Sequence, residues 1–307
     1  MANQTMTGIA WTGLLRTGGS GVAATGRSFL NLFRLALRTP AGRIGLPIVL
    51  LYVTLALIGP WLAPYGATDF HVEHQLEGPS SQFWLGTDQF GRDILSRVMS
   101  GARSIIGISV AGAALGIALG TLVGMSSGYK GGKTDEVVMR IMDGLMSFPS
   151  LLMALLVLTS LGANAVNIVL TIGIVFTAPI ARVMRSVTLA LKTLEFVQSA
   201  RMRGEPQPYI IFREILPNTL PVLAVEASVR LSYAILLASS LGFLGLGVQP
   251  PSPDWGLMIS ESRRFIVDAP WVALAPAGAV ASLVVGVNLL TDGIRQARKL
   301  PKGEAQP

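Results

Sequence analysis

Six apolar stretches, each at least 20 residues long, dominate this chain: residues 44–63, 104–127, 137–161, 166–191, 220–244 and 271–290. About 20 residues of α-helix cross the ~30 Å hydrocarbon core of a bilayer. Each stretch therefore reads as a membrane span, and the chain as an all-α membrane protein with six transmembrane helices. Composition agrees, since only 13% of the 307 residues are charged, where a soluble domain has about a quarter. The third stretch starts polar and contains Pro149, which predicts a kink.

Charge placement orients the spans. Residues 1–43 carry five arginines and no acid, residues 64–103 three Lys/Arg against five acids, and residues 182–218 six against three. Residues 248–270 carry two against three, and the run from Thr291 four against two. The basic segments alternate with the less basic ones, which predicts cytoplasmic termini and two long loops facing outward.

The first 43 residues have no long apolar core before Ile44, unlike a cleavable signal peptide. Within them, residues 28–38 place Asn31, Arg34 and Arg38 on one helical face, with Phe29, Leu30, Phe33 and Leu37 mostly elsewhere. That suits an interfacial amphipathic helix; a frayed basic tail is the alternative. The expected organisation is this tail (1–43), a first span and outer loop (44–103), a core of five spans (104–292) and a C-terminal cytoplasmic tail (293–307).

The second stretch carries glycine at every fourth position, Gly112, Gly116, Gly120, Gly124 and Gly128. Such a stripe lets another helix backbone approach closely. No polar group accompanies it, so it reads as packing.

Chemistry of other kinds is hard to find. Gly132-Lys133-Thr134 ends like a phosphate-binding loop, but Ser127 stands where the first glycine belongs and no strand precedes it; it reads as a turn. His71 and His74 flank Glu73 in an outer loop, but spacing fixes no third strong ligand, so a solvated loop is the simpler reading. There is no cysteine and no HExxH, and the one GxSxG match, residues 124–128, lies inside an apolar stretch with no strand before it, hence no visible catalytic residue and no metal ligand set. Glu226 and Arg230, spaced i, i+4 in the fifth span, can pair on one face. Either they compensate each other near the cytoplasmic end, reaching toward water, or they line a polar passage. The first is favoured because both lie within two to three turns of the expected interface.

Between the fourth and fifth spans, residues 193–218 read TLEFVQSARMRGEPQPYIIFREILPN. Residues 193–203 suit a short helix. Gly204 suits a left-handed stop. Glu205-Pro206 suits the start of a second short helix, ended by Leu216-Pro217. A polar turn of this kind either docks a partner or is solvated.

Gln198-Ser199-Ala200, three residues, then Gly204, then Leu216-Pro217 resembles the "EAA" loop of ATP-binding-cassette (ABC) importer permeases. Only the alanine of the Glu-Ala-Ala triplet is kept, at Ala200. LGTDQFGRDILSRV (85–98), SLGFLGLGVQPPSPDWG (240–256) and NLLTDGIR (288–295) resemble the second permease of the dipeptide, oligopeptide and nickel branch. The resemblance runs from about Arg38 to the end.

The resemblance implies the type I ABC importer permease fold with six spans, in a bacterial inner (plasma) membrane. It implies a heterodimer with a second permease, two cytoplasmic ATPase subunits and an extracytoplasmic substrate-binding protein, amid lipid and with no nucleic acid. ATP and magnesium would belong to the ATPases, with no cofactor on this chain and no enzymatic activity of its own. The solute would be a di- or oligopeptide, or in other members of the branch nickel, an oligosaccharide or an opine.

By the same resemblance, Glu195, Gln198, Ser199, Ala200, Arg201, Gly204, Glu205, Leu216 and Pro217 would form the ATPase-coupling loop. A translocation path would include Ser147, Phe148, Ser150, Glu226 and Arg230, and Asp88, Arg92 and Asp93 would face the binding protein. Many relatives have acids where this chain has Leu237 and Ala238, and a small residue at Arg230. A membrane enzyme lacks its catalytic set here, and a channel lacks a polar stripe across several spans.

Overall fold

The computed structural model describes residues 37–299. Residues 1–36 of the basic tail, with all but the last two residues of its expected interfacial helix, and the last eight residues of the chain lie outside the described residues. The elements are α1 (Pro40–Leu62), α2 (Ile94–Lys130), α3 (Gly132–Ser147), α4 (Ser150–Leu161) and α5 (Ala165–Leu191). They continue as α6 (Glu195–Met202), α7 (Gln207–Phe243), α8 (Trp255–Ser262) and α9 (Pro270–Lys299). Among the described residues there is no strand, only an isolated bridge between Thr87 and Asp93.

Five helices, α1, α2, α5, α7 and α9, are long and apolar enough to cross a membrane. The expected third span is instead two helices, α3 and α4, bent by 88°. The cause is local. Pro149 has no N–H to donate and forces Phe148 out of the helical region, to φ −87°, ψ 133°. What reads in sequence as a kink is a full break.

The glycine ladder closes the bundle centre. Gly112, Gly116, Gly120, Gly124 and Gly128 lie against Ile172, Phe176, Ile180, Ala181 and Arg185 of α5. A methyl group at Gly120 would sit 2.7 Å from the Thr177 carbonyl oxygen and 2.6 Å from Ile180 Cβ, so the two backbones touch without side chains between them. At the α3 end of this seam, Arg185 grips Asp135 with two hydrogen bonds, 2.7 and 2.6 Å. Lys192 donates to the Gly128 carbonyl at 2.8 Å, and Arg182 pairs with Asp143. Three of the basic residues that orient the chain in sequence thus also tie α5 to α2 and α3.

α2 starts ten residues earlier than its apolar stretch, at Ile94. Asp93 caps it, accepting from the Ser96 N–H at 2.8 Å and its hydroxyl at 2.6 Å. A hydropathy window misses these first turns because their polar residues are satisfied inside the protein: Arg97 is buried there beside Ile94, Val98 and Ala102.

Candidate functional site

The turn after α5 is built on an apolar keel. Val197 and Ala200 on α6 are fully buried, as are Ile210 and Ile215 at the start of α7. Arg201 reaches back to α2, donating to the Tyr129 hydroxyl at 3.2 Å with its guanidinium 4.8 Å from the ring centre. Gly204, at φ +78°, ends α6. Its N–H donates to the Arg201 carbonyl at 2.9 Å, and the Glu205 N–H to the Ala200 carbonyl at 3.2 Å. This is a Schellman stop, which needs a left-handed residue at that position. Nothing lies within 4 Å of where a Gly204 side chain would begin, so the constraint is backbone conformation, with no clash inside this chain.

The second half of the turn differs from expectation. α7 does not end at Leu216-Pro217; it runs unbroken from Gln207 to Phe243. Pro217 would lose a hydrogen bond and press on the Arg213 carbonyl in a regular helix. A π-helical turn over Ile210–Ile215 precedes it, with the Leu216 N–H bonded to the Ile211 carbonyl five residues back. The wider turn absorbs the conflict.

Opposite the keel the crest is exposed. Glu195, Gln198, Arg201, Gly204 and Pro217 are exposed, Ser199, Glu205 and Leu216 half-buried, and Ala200 alone faces inward. Arg203 bridges Glu205 at 3.7 Å and Glu214 at 3.4 Å. Met202 is 82% exposed, and Tyr209 and Phe212 are exposed beside it. These three apolar side chains are missing from the sequence reading, which looked for charge; the signal was apolar residues on the polar side of a hinge.

Ser147, Phe148 and Ser150 lie exposed at the α3–α4 elbow. Glu226 and Arg230 do pair, Nη2 to Oε2 at 3.1 Å. α7 continues beyond the pair to Gln207, and Arg230 lies about 20 Å short of Phe243 at ~1.5 Å per residue. It sits over the Phe176 ring of α5, 5.9 Å from the ring centre. The preceding turns of α7, with Ile117 of α2, line a groove of about 380 Å³ through Leu220, Pro221, Leu223, Ala224 and Ala227; neither Glu226 nor Arg230 is part of its lining. Leu237 and Ala238 are buried, so neither lines it.

At the Ile94 end of α2, Asp88 and Asp93 present no free surface, contrary to their expected role toward a binding protein. Both are under 5% exposed. Asp93 is spent on the α2 cap. Asp88 accepts from the N–H groups of Phe90 (2.9 Å) and Arg92 (3.0 Å) and from Arg92 Nε (2.6 Å). Arg97 Nε stands 3.6 Å from the same carboxylate, and Arg92 reaches Glu261 of α8 at 3.5 Å. The cluster clamps the loop before α2 to α8. His74 bonds Glu77 at 2.6 Å, and the His71 ring packs on Tyr65 and Phe83. Among the described residues no cluster of His, Asp or Glu is arranged to hold a metal.

Residues 116–299 match the family model of the "binding-protein-dependent transport system inner membrane component", and residues 32–79 that of the "N-terminal TM domain of oligopeptide transport permease C". The chain is 41% identical over 250 residues to the glutathione transport system permease protein GsiD of Pectobacterium atrosepticum, covering 81% of this chain and 83% of that one. It is 38% identical over 254 residues to the dipeptide transport system permease protein DppC of Alkalihalophilus pseudofirmus, covering 83% and 84%. GsiD of Escherichia coli O157:H7 is 42% identical over 250 residues, covering 81% and 82%.

Proposed function

The chain belongs to the binding-protein-dependent transport system inner membrane components, and from that premise we propose that it passes short peptides, glutathione among them, into a bacterial cell. It is an ABC importer permease and not an enzyme; the ATPase activity lies in partner subunits. The relatives named for glutathione and dipeptides support the solute class. In this reading α3 and α4 together form a sixth span, both termini are cytoplasmic, and the chain pairs with a second permease. A binding protein delivers the solute from outside.

The observation that carries the mechanism is the turn at Gly204. A rigid, fully buried keel of Val197, Ala200, Ile210 and Ile215 holds up an exposed crest of Met202, Tyr209 and Phe212. Exposed apolar groups on a rigid support are what a docking surface needs. Because α7 runs without a break from this crest to Phe243, a push by the ATPases on the turn moves the whole helix as one lever. ATP binding would draw the ATPases together and tilt α7; hydrolysis would reset it.

The test is uptake by the whole complex in proteoliposomes with ATP. A mixed pool of di- and tripeptides, including glutathione, is offered beside nickel and small oligosaccharides. Peptide accumulation that needs ATP and is lost in Gly204→Asp, with the complex still assembled, is the expected result. Normal uptake by that variant sinks the coupling assignment. Accumulation of metal or sugar alone sinks the peptide assignment and leaves coupling intact.

A further inference from the structure

We propose that Arg230 reads a carboxylate on the passing solute, with Glu226 as the counter-ion that holds it when the groove is empty. The inference rests on the transport reading above and names the feature of the solute that is recognised.

A charge midway along a membrane-crossing helix is costly unless paired, and such residues mark functional paths. A purely structural pair would be expected to use its hydrogen-bonding capacity. This one does not. A guanidinium offers five donors in a planar fork, yet Glu226 is met at a single 3.1 Å contact from Nη2. Arg230 Nε is buried without any hydrogen-bond partner. The guanidinium therefore keeps unspent N–H donors for a second carboxylate.

The surroundings fit the same ligand. Leu223 lies seven residues before Arg230 and Ala227 three before it, so all three share one face of α7. Both line the 380 Å³ groove, whose size is within the range of small-molecule sites, about 300–1,000 Å³. Its walls are apolar, and Arg230 stands one helical turn beyond Ala227 on the same face. The Phe176 ring of α5 lies 5.9 Å from the guanidinium. Small apolar side chains below and a carboxylate above describe the C-terminal end of a short peptide.

The complete complex in proteoliposomes is given two ATP-driven uptake assays, read by mass spectrometry. One uses a pool of free di- and tripeptides including glutathione; the other uses the same pool with every carboxyl amidated. Wild type is expected to favour the free acids by about tenfold or more, as a site built around a polar group rejects solutes lacking it. Arg230→Gln is expected to lower the wild-type ratio by about fivefold or more, since the neutral amide offers no charge-assisted bond. The exchanged pair, Glu226→Arg with Arg230→Glu, keeps the ion pair but presents it the other way round, and its ratio is also expected to fall. The binding protein is the same throughout, so its own selectivity cancels.

A wild-type ratio in Arg230→Gln, or in the exchanged pair, overturns the inference. So does loss of all uptake by both variants in an assembled complex, which would make the pair structural. Failure of wild type to take up either pool overturns the transport reading itself and this inference with it.

Discussion

Trp255 Nε1 donates a hydrogen bond to the carbonyl oxygen of Val98 at 3.0 Å, joining residues 157 positions apart. The indole is fully buried and stands edge-on to Tyr52 at 5.6 Å. One side chain thus holds α8 to the first turns of α2 and to α1. Trp255→Phe should cost about 1–2 kcal/mol for the lost buried bond. Trp255→Ala should cost about 3–5 kcal/mol by leaving a cavity. Thermal unfolding of the detergent-solubilised complex should rank wild type above Trp255→Phe and that above Trp255→Ala.

Asp88 is the centre of the outer clamp and Glu261 its edge. Asp88→Asn leaves Arg92 and Arg97 short of their common acceptor in a buried site, at a cost of about 3–5 kcal/mol. Glu261 is partly exposed and meets Arg92 only at 3.5 Å, so Glu261→Gln should cost less than about 1 kcal/mol. Melting temperatures of the two variants check the order; equal losses would mean that the clamp is not centred on Asp88.

Asp254 gives the start of α8 a pH dependence. It caps α8, accepting from the Leu257 N–H at 2.9 Å. Burial raises its pKa above the usual 3.8, while hydrogen bonds from Leu257, Val248 and Gly256 oppose the shift. A raised carboxyl pKa means that protonation is favoured by folding. The stabilisation is complete below the unfolded value, is lost as pH rises through the folded value, and is flat above it. Melting temperature measured from neutral pH downward should therefore contain an acid-side gain from Asp254. Asp254→Asn keeps an acceptor for the cap and should remove that gain, visible as a pH-dependent difference from wild type.

The glycine seam predicts opposite outcomes for two similar changes. Gly120→Ala must force α2 away from the Thr177 carbonyl and Ile180, and should lower stability by about 1–3 kcal/mol. Gly107→Ala, on the same helix with nothing within 4 Å, should be neutral or stabilise by up to about 1 kcal/mol through helix propensity. Thermal stability of the two purified variants compares them directly.

The motif SLGFLGLGVQPPSPDWG is a case where resemblance ran ahead of physical explanation. In sequence it only marks a family. In the fold, Asp254 lies against Gly242 and Gly247, and Gly256 against the Ser239 carbonyl. The glycines let the end of α7, the loop and the start of α8 fold onto one carboxylate. The same holds for LGTDQFGRDILSRV, whose acids look available to a partner until Asp88 and Asp93 are seen filled by their own loop.

What the sequence alone determined is what depends on contiguous residues. Apolar length specified the helices, because transfer from water is a property of one stretch at a time. The four-residue glycine period specified a close seam, and Gly204 specified a stop, because backbone conformation is local. Tertiary structure alone decided what depends on partners far along the chain. The passage of α7 through Pro217 depends on how packing resolves a local conflict. The pairing of Trp255 with Val98, the satisfaction of Asp88 and the seating of Arg230 over Phe176 depend on which surfaces meet. No period or spacing encodes such a meeting, since its energy comes from desolvating both partners together.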